Sequence, residues 1–206
     1  MVDESKHYSI EEILQYEANA ILQIPKDNDY EKAVAMIVDR VQGRDGRLIT
    51  SGMGKAGQIA ANMATTFSST GTPAYFLHPS EAQHGDLGLI RPHDILLLVS
   101  NSGRTREVLE LVELARGLVP DLPIILITGN PACELANHAD VCLSTGNPAE
   151  VCPLGLTPTT STTVMTVIGD LLVVRTMQVI GFGYSDYAMR HHGGYLGSKS
   201  RTLSRK

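Results

Sequence analysis

RLITSGMGKAG, residues 47–57, joins a short run of strand-forming residues to a glycine-rich turn and then to a helical pattern. Further strand-like segments follow, and several are separated by helical stretches such as Thr105–Leu118, whose apolar residues recur at helical spacing. Strands that alternate with helices favour right-handed crossovers and a mostly parallel sheet covered on both faces. The predicted strands are Arg47–Thr50, Ala74–Leu77, Ile95–Val99, Ile124–Ile127 and Val141–Leu143.

Helices are predicted around and between these strands. The first of them opens with the capping-box pattern S-x-x-E at Ser9 and Glu12. A loop is predicted over Ser144–Pro158, a turn at residues 191–194, and a mobile basic tail after that turn. The predicted helices are Ser9–Gln23, Asp29–Val41, Gly57–Ser69, Thr105–Leu118 and Pro131–His138.

The most apolar stretch of the chain is Val164–Ile180, and it is interrupted by Asp170 and Arg175. A membrane span needs about 20 mostly apolar residues. The stretch is therefore predicted to be a helix buried within protein. Since it is apolar nearly all round, it also suits a subunit interface.

Length and composition favour a single cytoplasmic domain. The chain has 206 residues, of which 43% are hydrophobic, enough for one well-buried core. We expect N-terminal helices (1–45), an α/β core (46–183) and a C-terminal segment with the basic tail (184–206). A net charge of −5 argues against nucleic-acid binding. Three cysteines without a C-x-x-C pattern fit a reducing compartment, and the N-terminus shows no apolar run typical of a signal peptide.

The first motif with chemical meaning is the glycine-rich turn. Gly52, Gly54 and Gly57 satisfy G-x-G-x-x-G, which is typical of a dinucleotide-binding loop but also of any tight strand-to-helix turn. No acidic residue ends the second predicted strand, which argues against NAD. Lys55 lies inside the motif, where it could contact a sugar hydroxyl or a phosphate.

The second motif is SNSGRT, residues 100–105, again between a strand and a helix. Ser100, Ser102 and Thr105 place three hydroxyls beside the unpaired amides and partial positive charge of a helix N-terminus. One of them could serve merely as a helix cap. Three hydroxyls in six residues favour a site for a phosphate monoester. Both motifs lie at the carboxyl edge of the predicted sheet, where ligands of open α/β sheets bind.

Acid–base groups also occur near the predicted loop ends. They are His84, Glu107, Glu150, His191 and His192. Taken singly, each is more often structural than catalytic. Glu107 lies in the first turn of a predicted helix, where it would complement the helix dipole.

Five longer motifs resemble the sugar isomerase (SIS) domain family, and within it the arabinose-5-phosphate isomerases. The resemblance covers about Ile10 to Gly197. It implies a five-stranded parallel sheet in a three-layer αβα sandwich of the doubly wound, flavodoxin-like kind. It also implies homotetramers whose sites form between subunits. The motifs are SGMGKAG (51–57), ATTFSSTGTPAYFLHPSEAQHGDLG (64–88), SNSGRTREVLEL (100–111), EVCPLGLTPTTSTT (150–163) and HHGGYLG (191–197).

The resemblance also assigns residues to the site. The active-site positions it implies are Lys55, Glu107, Glu150 and His191, with His84 as a further histidine. The phosphate-binding positions it implies are Ser51, beside Gly52, and Ser100, Ser102 and Thr105. His192 stands where members of the family usually have proline, which leaves the choice between His191 and His192 open.

The expected reaction interconverts D-ribulose 5-phosphate and D-arabinose 5-phosphate through an enediol, for Kdo and lipopolysaccharide biosynthesis. Glu150 is the expected base, with Glu107 second, and neither cofactor nor metal is expected. A regulator that binds a sugar phosphate without turnover, an isomerase of a hexulose or heptulose phosphate, and a dinucleotide-binding protein are the alternatives. Longer members carry paired regulatory domains of the cystathionine-β-synthase type, so feedback by a pathway nucleotide sugar is expected here instead.

Overall fold

The protein forms five parallel strands in the order β2-β1-β3-β4-β5, in a computed structural model that describes residues 7–204. Leu48 of β1 pairs with Ala74 on one side and Ile95 on the other. The three central strands are buried along their whole length, because helices cover both faces of the sheet. The strands are β1 Leu48–Gly52, β2 Ala74–Phe76, β3 Ile95–Val99, β4 Ile124–Thr128 and β5 Val141–Ser144.

Within residues 7–204, eight α-helices surround the sheet. The predicted capping box at Ser9 and Glu12 is confirmed at the start of the first helix. The short helix predicted over Pro131–His138 is confirmed only in part: a 3-10 helix forms over Glu134–His138. The side chain of Asn130 accepts a hydrogen bond from Ala132 N, which makes a turn of the first residues. The helices are α1 Ile10–Leu22, α2 Tyr30–Val38, α3 Gly54–Ser69, α4 Pro79–Ala82, α5 Arg106–Leu118, α6 Thr160–Ile180, α7 Tyr184–Arg190 and α8 Gly194–Leu203.

Two hydrophobic cores fill the space between the layers, which confirms the predicted α/β sandwich. Helices α1, α2, α3 and α6 cover one face of the sheet, with Phe67 and Ile168 among the buried side chains. Helices α4 and α5 cover the other face, where Leu111 is fully buried. The flavodoxin-like strand order follows from the two crossovers that place β2 and β3 on opposite sides of β1.

Helix α6 belongs to the first of these layers. By length and composition alone it could cross a membrane. It packs instead on α3, α2 and α1. The contact with α3 is so close that a β-carbon on Gly169 would stand 2.4 Å from Met63 Cε. We therefore describe α6 as a helix of the folded domain.

The C-terminal segment is more ordered than the sequence predicts. The predicted mobile tail forms α8 over Gly194–Leu203, and Arg205 and Lys206 lie outside the described residues. Gly197 allows α8 to approach the end of α7, since a β-carbon there would stand 2.1 Å from the carbonyl oxygen of His191. Arg201 Nη1 also donates to the carbonyl oxygen of His192, at 3.3 Å. Close contact between the backbones of α7 and α8 therefore holds the tail in place, and hydropathy patterns do not reveal such contacts.

Candidate active site

A cleft of about 590 Å³ opens at the carboxyl edge of the sheet. The loops after β1, β3, β4 and β5 meet there with the first turns of α6. The cleft brings together four of the predicted site residues, Lys55, Ser100, Ser102 and Thr105. Its lining is completed by Met53, Ala56, Val99, Asn101, Arg104, Asn130, Asn147, Pro158, Ser161, Thr162 and Met165.

Two helix N-termini reach this cleft without a side-chain cap. Met53 precedes α3 and has no hydroxyl or carboxylate to cap it. Thr105 precedes α5, but its hydroxyl lies 3.1 Å from Ser100 Oγ and makes no capping bond. The first-turn amides of both helices therefore remain available among the described residues. Each N-terminus carries roughly half a positive charge, so the cleft attracts anions although the chain is acidic.

Two cations strengthen this attraction. The side chains of Lys55 and Arg104 are exposed and both line the cleft. Lys55 follows Gly54, whose φ of 57° turns the chain sharply into α3. Arg104 was not singled out from the sequence, although its place in SNSGRT is a signal for it. A cation beside unpaired amides is a favourable setting for phosphate.

Ser102 is the exposed hydroxyl of the serine loop, residues 100–105. Its Oγ accepts a hydrogen bond from Arg104 N at 3.3 Å. The next residue, Gly103, has a φ of 63°, and a β-carbon there would stand 2.0 Å from Cys133 Sγ. The loop thus turns where only glycine fits. Its conformation presents Ser102 to the cleft.

Ser51 and Gly52 lie outside the cleft lining. Ser51 is fully buried, and its hydroxyl donates to the carbonyl oxygen of Leu77. Gly52 is buried as well, and a β-carbon on Gly57 would stand 2.5 Å from its carbonyl oxygen. The G-x-G-x-x-G glycines therefore allow α3 to pack closely on β1, which explains the motif without a dinucleotide.

Glu150 is tied to the N-terminus of α6. Its Oε2 accepts hydrogen bonds from Thr159 N at 2.7 Å, Thr159 Oγ1 at 3.0 Å and Ser161 N at 3.2 Å. Burial alone would raise the pKa of Glu150, but the hydrogen bonds from Ser161 and Thr159 outweigh it and leave that pKa below its ordinary value. Glu150 is not in the cleft lining, although Ser161 is. All three hydrogen bonds use one oxygen, and Oε1 remains available among the residues that the structure describes.

Glu107 and His84 lie on the neighbouring α4–α5 layer. Glu107 is half-buried in the first turn of α5, and His84 is exposed just after α4. The two helices pack together, and Gln83 Nε2 donates to Glu110 Oε2 at 2.7 Å. Neither Glu107 nor His84 lines the cleft.

His191 lies far along the chain from the other predicted residues and is not in the cleft lining. Helix α6 starts at the cleft and runs to the other edge of the sheet, where Phe182 contacts Gly71. The His191 ring stacks on Tyr187 at 3.7 Å between centroids, and its Nδ1 lies 3.1 Å from the Tyr187 carbonyl oxygen. His192 is exposed. Within one chain, these histidines are separate from Lys55 and the serine loop, which line the cleft.

Sequence reasoning missed the three asparagines of the cleft. Asn101, Asn130 and Asn147 follow β3, β4 and β5 in turn. Their position just after predicted strands was the available signal. Within residues 7–204, no cluster of three or more histidine, cysteine or acidic side chains is arranged to hold a metal ion.

Comparison with known families gives a match over the core of the chain. A family model described as the SIS domain matches residues 44–175. Arabinose 5-phosphate isomerase KdsD of Salmonella typhi is 40% identical over 188 residues, which are 91% of this chain and 56% of the relative. The KdsD of Escherichia coli K12 is 47% identical over 154 residues, 75% of this chain and 46% of the relative. The chain thus spans about half the length of these curated relatives.

Two solved structures are matched over nearly their whole length. A protein of Bacteroides fragilis NCTC 9343, described as a candidate phosphosugar isomerase involved in capsule formation, is 64% identical with a TM-score of 0.89. The match covers 90% of this chain and 97% of that one. A protein of E. coli CFT073 in complex with arabinose 5-phosphate is 32% identical with a TM-score of 0.79, and the match covers 88% of this chain and 95% of that one.

Proposed function

This chain belongs to the SIS domain family, and from that premise we propose that it is an aldose–ketose isomerase of phosphorylated pentoses. The proposed reaction interconverts D-ribulose 5-phosphate and D-arabinose 5-phosphate. One observation carries the proposal: two uncapped helix N-termini, Lys55 and Arg104 meet at a cleft whose third helix is capped by Glu150. The arrangement pairs an anion site with a carboxylate.

The phosphate would occupy the serine loop. Ser102, the first-turn amides of α5 and Arg104 supply hydrogen-bond donors and positive charge. Binding there would hold the carbon chain in one place and so lower the entropic cost of the reaction at its other end. The E. coli CFT073 relative, whose structure holds arabinose 5-phosphate, supports a sugar phosphate as the ligand.

The reaction itself would be a proton transfer between C1 and C2. Glu150 takes the carbon-bound proton through Oε1, and the electron pair remains on the substrate as an enediolate. A proton then passes from O1 to O2 of the enediolate, and the same carboxyl group returns its proton to C2, so that the carbonyl group moves to C1 and atoms and electrons balance within the substrate. Because the pKa of Glu150 is lowered, the carboxylate is ionised at neutral pH. Lys55 would stabilise the negative oxygen of the intermediate.

We further propose that His191 serves the cleft of a second copy. Supporting this, His191 does not line the cleft of its own chain. Helices α1 and α6 also expose apolar side chains suited to a contact between copies. Ile10 is 79% exposed, Leu14 65% and Val174 50%. A homotetramer with composite sites would unite His191 with Glu150.

The proposed chemistry is tested by incubating the protein with a panel of pentose, hexose and heptose phosphates and analysing product stereochemistry. We expect D-arabinose 5-phosphate from D-ribulose 5-phosphate. Failure to isomerise any pentulose phosphate would refute the proposed reaction. The B. fragilis relative's description, involvement in capsule formation, supports a product destined for surface polysaccharide.

The composite site is tested by refolding Glu150→Gln together with His191→Asn. Each variant alone is expected to be inactive. If the two residues act from different copies, random mixing restores both native groups at about a quarter of the sites. Each variant refolded with itself is the control. A mixture that stays inactive would show that His191 acts within its own chain, and full activity of His191→Asn alone would show that His191 has no role in turnover.

A further inference from the structure

Three asparagines line one side of the cleft, and none of them has a role in the proposed proton transfer. Asn101 comes directly after Ser100, Asn130 follows the end of β4, and Asn147 follows the end of β5. A carboxamide carries no charge and offers both a donor and an acceptor. Such groups suit neutral hydroxyls better than they suit phosphate, which the helix N-termini and cations already attract.

Asn101 has an unused polar atom at this position. Its side-chain Oδ1 is buried and has no hydrogen-bond partner among residues 7–204. Its backbone carbonyl, in contrast, accepts from Gly129 N at 3.0 Å and from Thr128 Oγ1 at 3.1 Å. A buried oxygen without a partner destabilises the protein, so a ligand that supplies a donor there would be favoured.

The side chain of Asn147 lies close to that of Asn101. A β-carbon on Gly129 would stand 2.5 Å from Asn101 Oδ1 and 3.0 Å from Asn147 Oδ1. Both amides therefore lie over the bare backbone of Gly129. Asn147 has a φ of 52°, in the left-handed region, and its N–H donates to Thr145 Oγ1 at 3.2 Å. The side chain is thus held beside Asn101 by a backbone conformation that asparagine tolerates better than most residues.

We propose that Asn101 and Asn147 form a hydroxyl-recognition pair that selects which sugar phosphate is bound productively. The pair contacts a hydroxyl of the carbon chain that does not react, next to the phosphate held by the serine loop. The ligand class is a phosphorylated polyhydroxy chain. This inference rests on the proposed function for its substrate, but it concerns binding and can be measured without turnover.

The test uses two probes, inorganic phosphate and D-arabinitol 5-phosphate, which has no carbonyl group to isomerise. Calorimetry compares the wild type with Asn147→Gly, which removes the amide while glycine accepts the positive φ. Asn101→Ala is the second variant. Asn137→Gly is the matched control, since Asn137 is exposed and outside the cleft lining.

We expect each cleft variant to weaken arabinitol 5-phosphate binding about fivefold, the effect of one net hydrogen bond. Affinity for inorganic phosphate and the behaviour of Asn137→Gly should not change. If both asparagines contact one hydroxyl, the double variant loses less than the product of the two single effects.

The outcomes separate the two proposals. Unchanged arabinitol 5-phosphate affinity in both variants would overturn the recognition pair, whatever the wild type catalyses. An equal loss for both probes would also overturn it, because the asparagines would then act through the phosphate loop. A selective loss for the polyol probe in a protein that isomerises no pentulose phosphate would support the pair and refute the proposed reaction.

Discussion

Replacing Glu150 tests whether one carboxylate both caps α6 and removes a proton. Glutamine keeps the shape of the side chain and one oxygen acceptor for Thr159 and Ser161, but it has no charge. Alanine removes the acceptor as well. The pair of variants therefore separates the hydrogen-bonding role from the role of the charge.

The structure sets the size of each effect on stability. Glu150→Gln loses the interaction of a charge with a helix N-terminus, about 0.3–1 kcal/mol and near the lower end because the side chain is only partly buried. Glu150→Ala loses the cap itself, about 1–2 kcal/mol. Urea unfolding followed by circular dichroism measures both differences. Equal destabilisation by both variants would show that the hydrogen bonds contribute nothing without the charge.

The stability difference also has a defined pH dependence. The pKa of Glu150 is lowered in the folded state, so the ionised form stabilises the fold above its ordinary value of 4.5. That contribution is lost as pH falls through the lowered pKa. The advantage of the wild type over Glu150→Gln should therefore shrink in acid, and an advantage that grew there would contradict the assignment.

The effect on turnover should be far larger than the effect on stability. An amide cannot accept the proton, so Glu150→Gln should lose about 10²–10⁴-fold in kcat. Arabinitol 5-phosphate affinity should stay near that of the wild type, because glutamine keeps the shape of the side chain and the serine loop that would hold the phosphate is unchanged. A coupled assay of D-ribulose 5-phosphate consumption measures kcat. Turnover close to that of the wild type would refute Glu150 as the base.

Three further predictions concern other parts of the molecule. Ser102→Ala should weaken inorganic phosphate binding about fivefold by calorimetry. Ser51→Ala should lower stability but leave phosphate affinity unchanged, because the Ser51 hydroxyl is buried; a loss of phosphate affinity in Ser51→Ala alone would exchange the two roles. Asp94→Ala should cost about 3–5 kcal/mol of unfolding free energy in urea, because this fully buried carboxylate pairs with an arginine at 2.7 Å; a loss under about 1 kcal/mol would contradict a buried ion pair. Gly57→Ala should lower the melting temperature by overpacking α3 on β1, at about 1–3 kcal/mol, whereas Gly117→Ala, with nothing within 4 Å, should not; equal melting temperatures would disprove the close contact.

The sheet could be predicted from the sequence because its signals are local. Ile95–Val99 is an unbroken apolar run of strand length, and its predicted bounds are confirmed. Helix α3 begins at Gly54, three residues before the predicted start, because the positive φ of that glycine turns the chain directly into the helix. Patterns of hydropathy carry no information on such dihedral angles.

The cleft could be predicted only in part. The serine loop and Lys55 were found because strand ends of a parallel sheet share one edge. Ser51 has the same chemistry as Ser102, but its hydroxyl donates to the carbonyl oxygen of Leu77, just after β2, and sequence spacing does not show this contact. The recognition pair also depends on a non-local contact, since Asn101 and Asn147 meet only over Gly129.

Helix α6 has 21 residues, so it is a stiff rod about 30 Å long. His191 lies beyond the C-terminal end of α6, and the cleft lies at its N-terminal end. If His191 completes the cleft of a neighbouring molecule, each molecule must in turn receive a His191 from a neighbour in its own cleft. A two-fold pair satisfies that exchange reciprocally, so that an isolated molecule has no working site. Specific activity would then decline on dilution, and its recovery on concentration would report assembly directly.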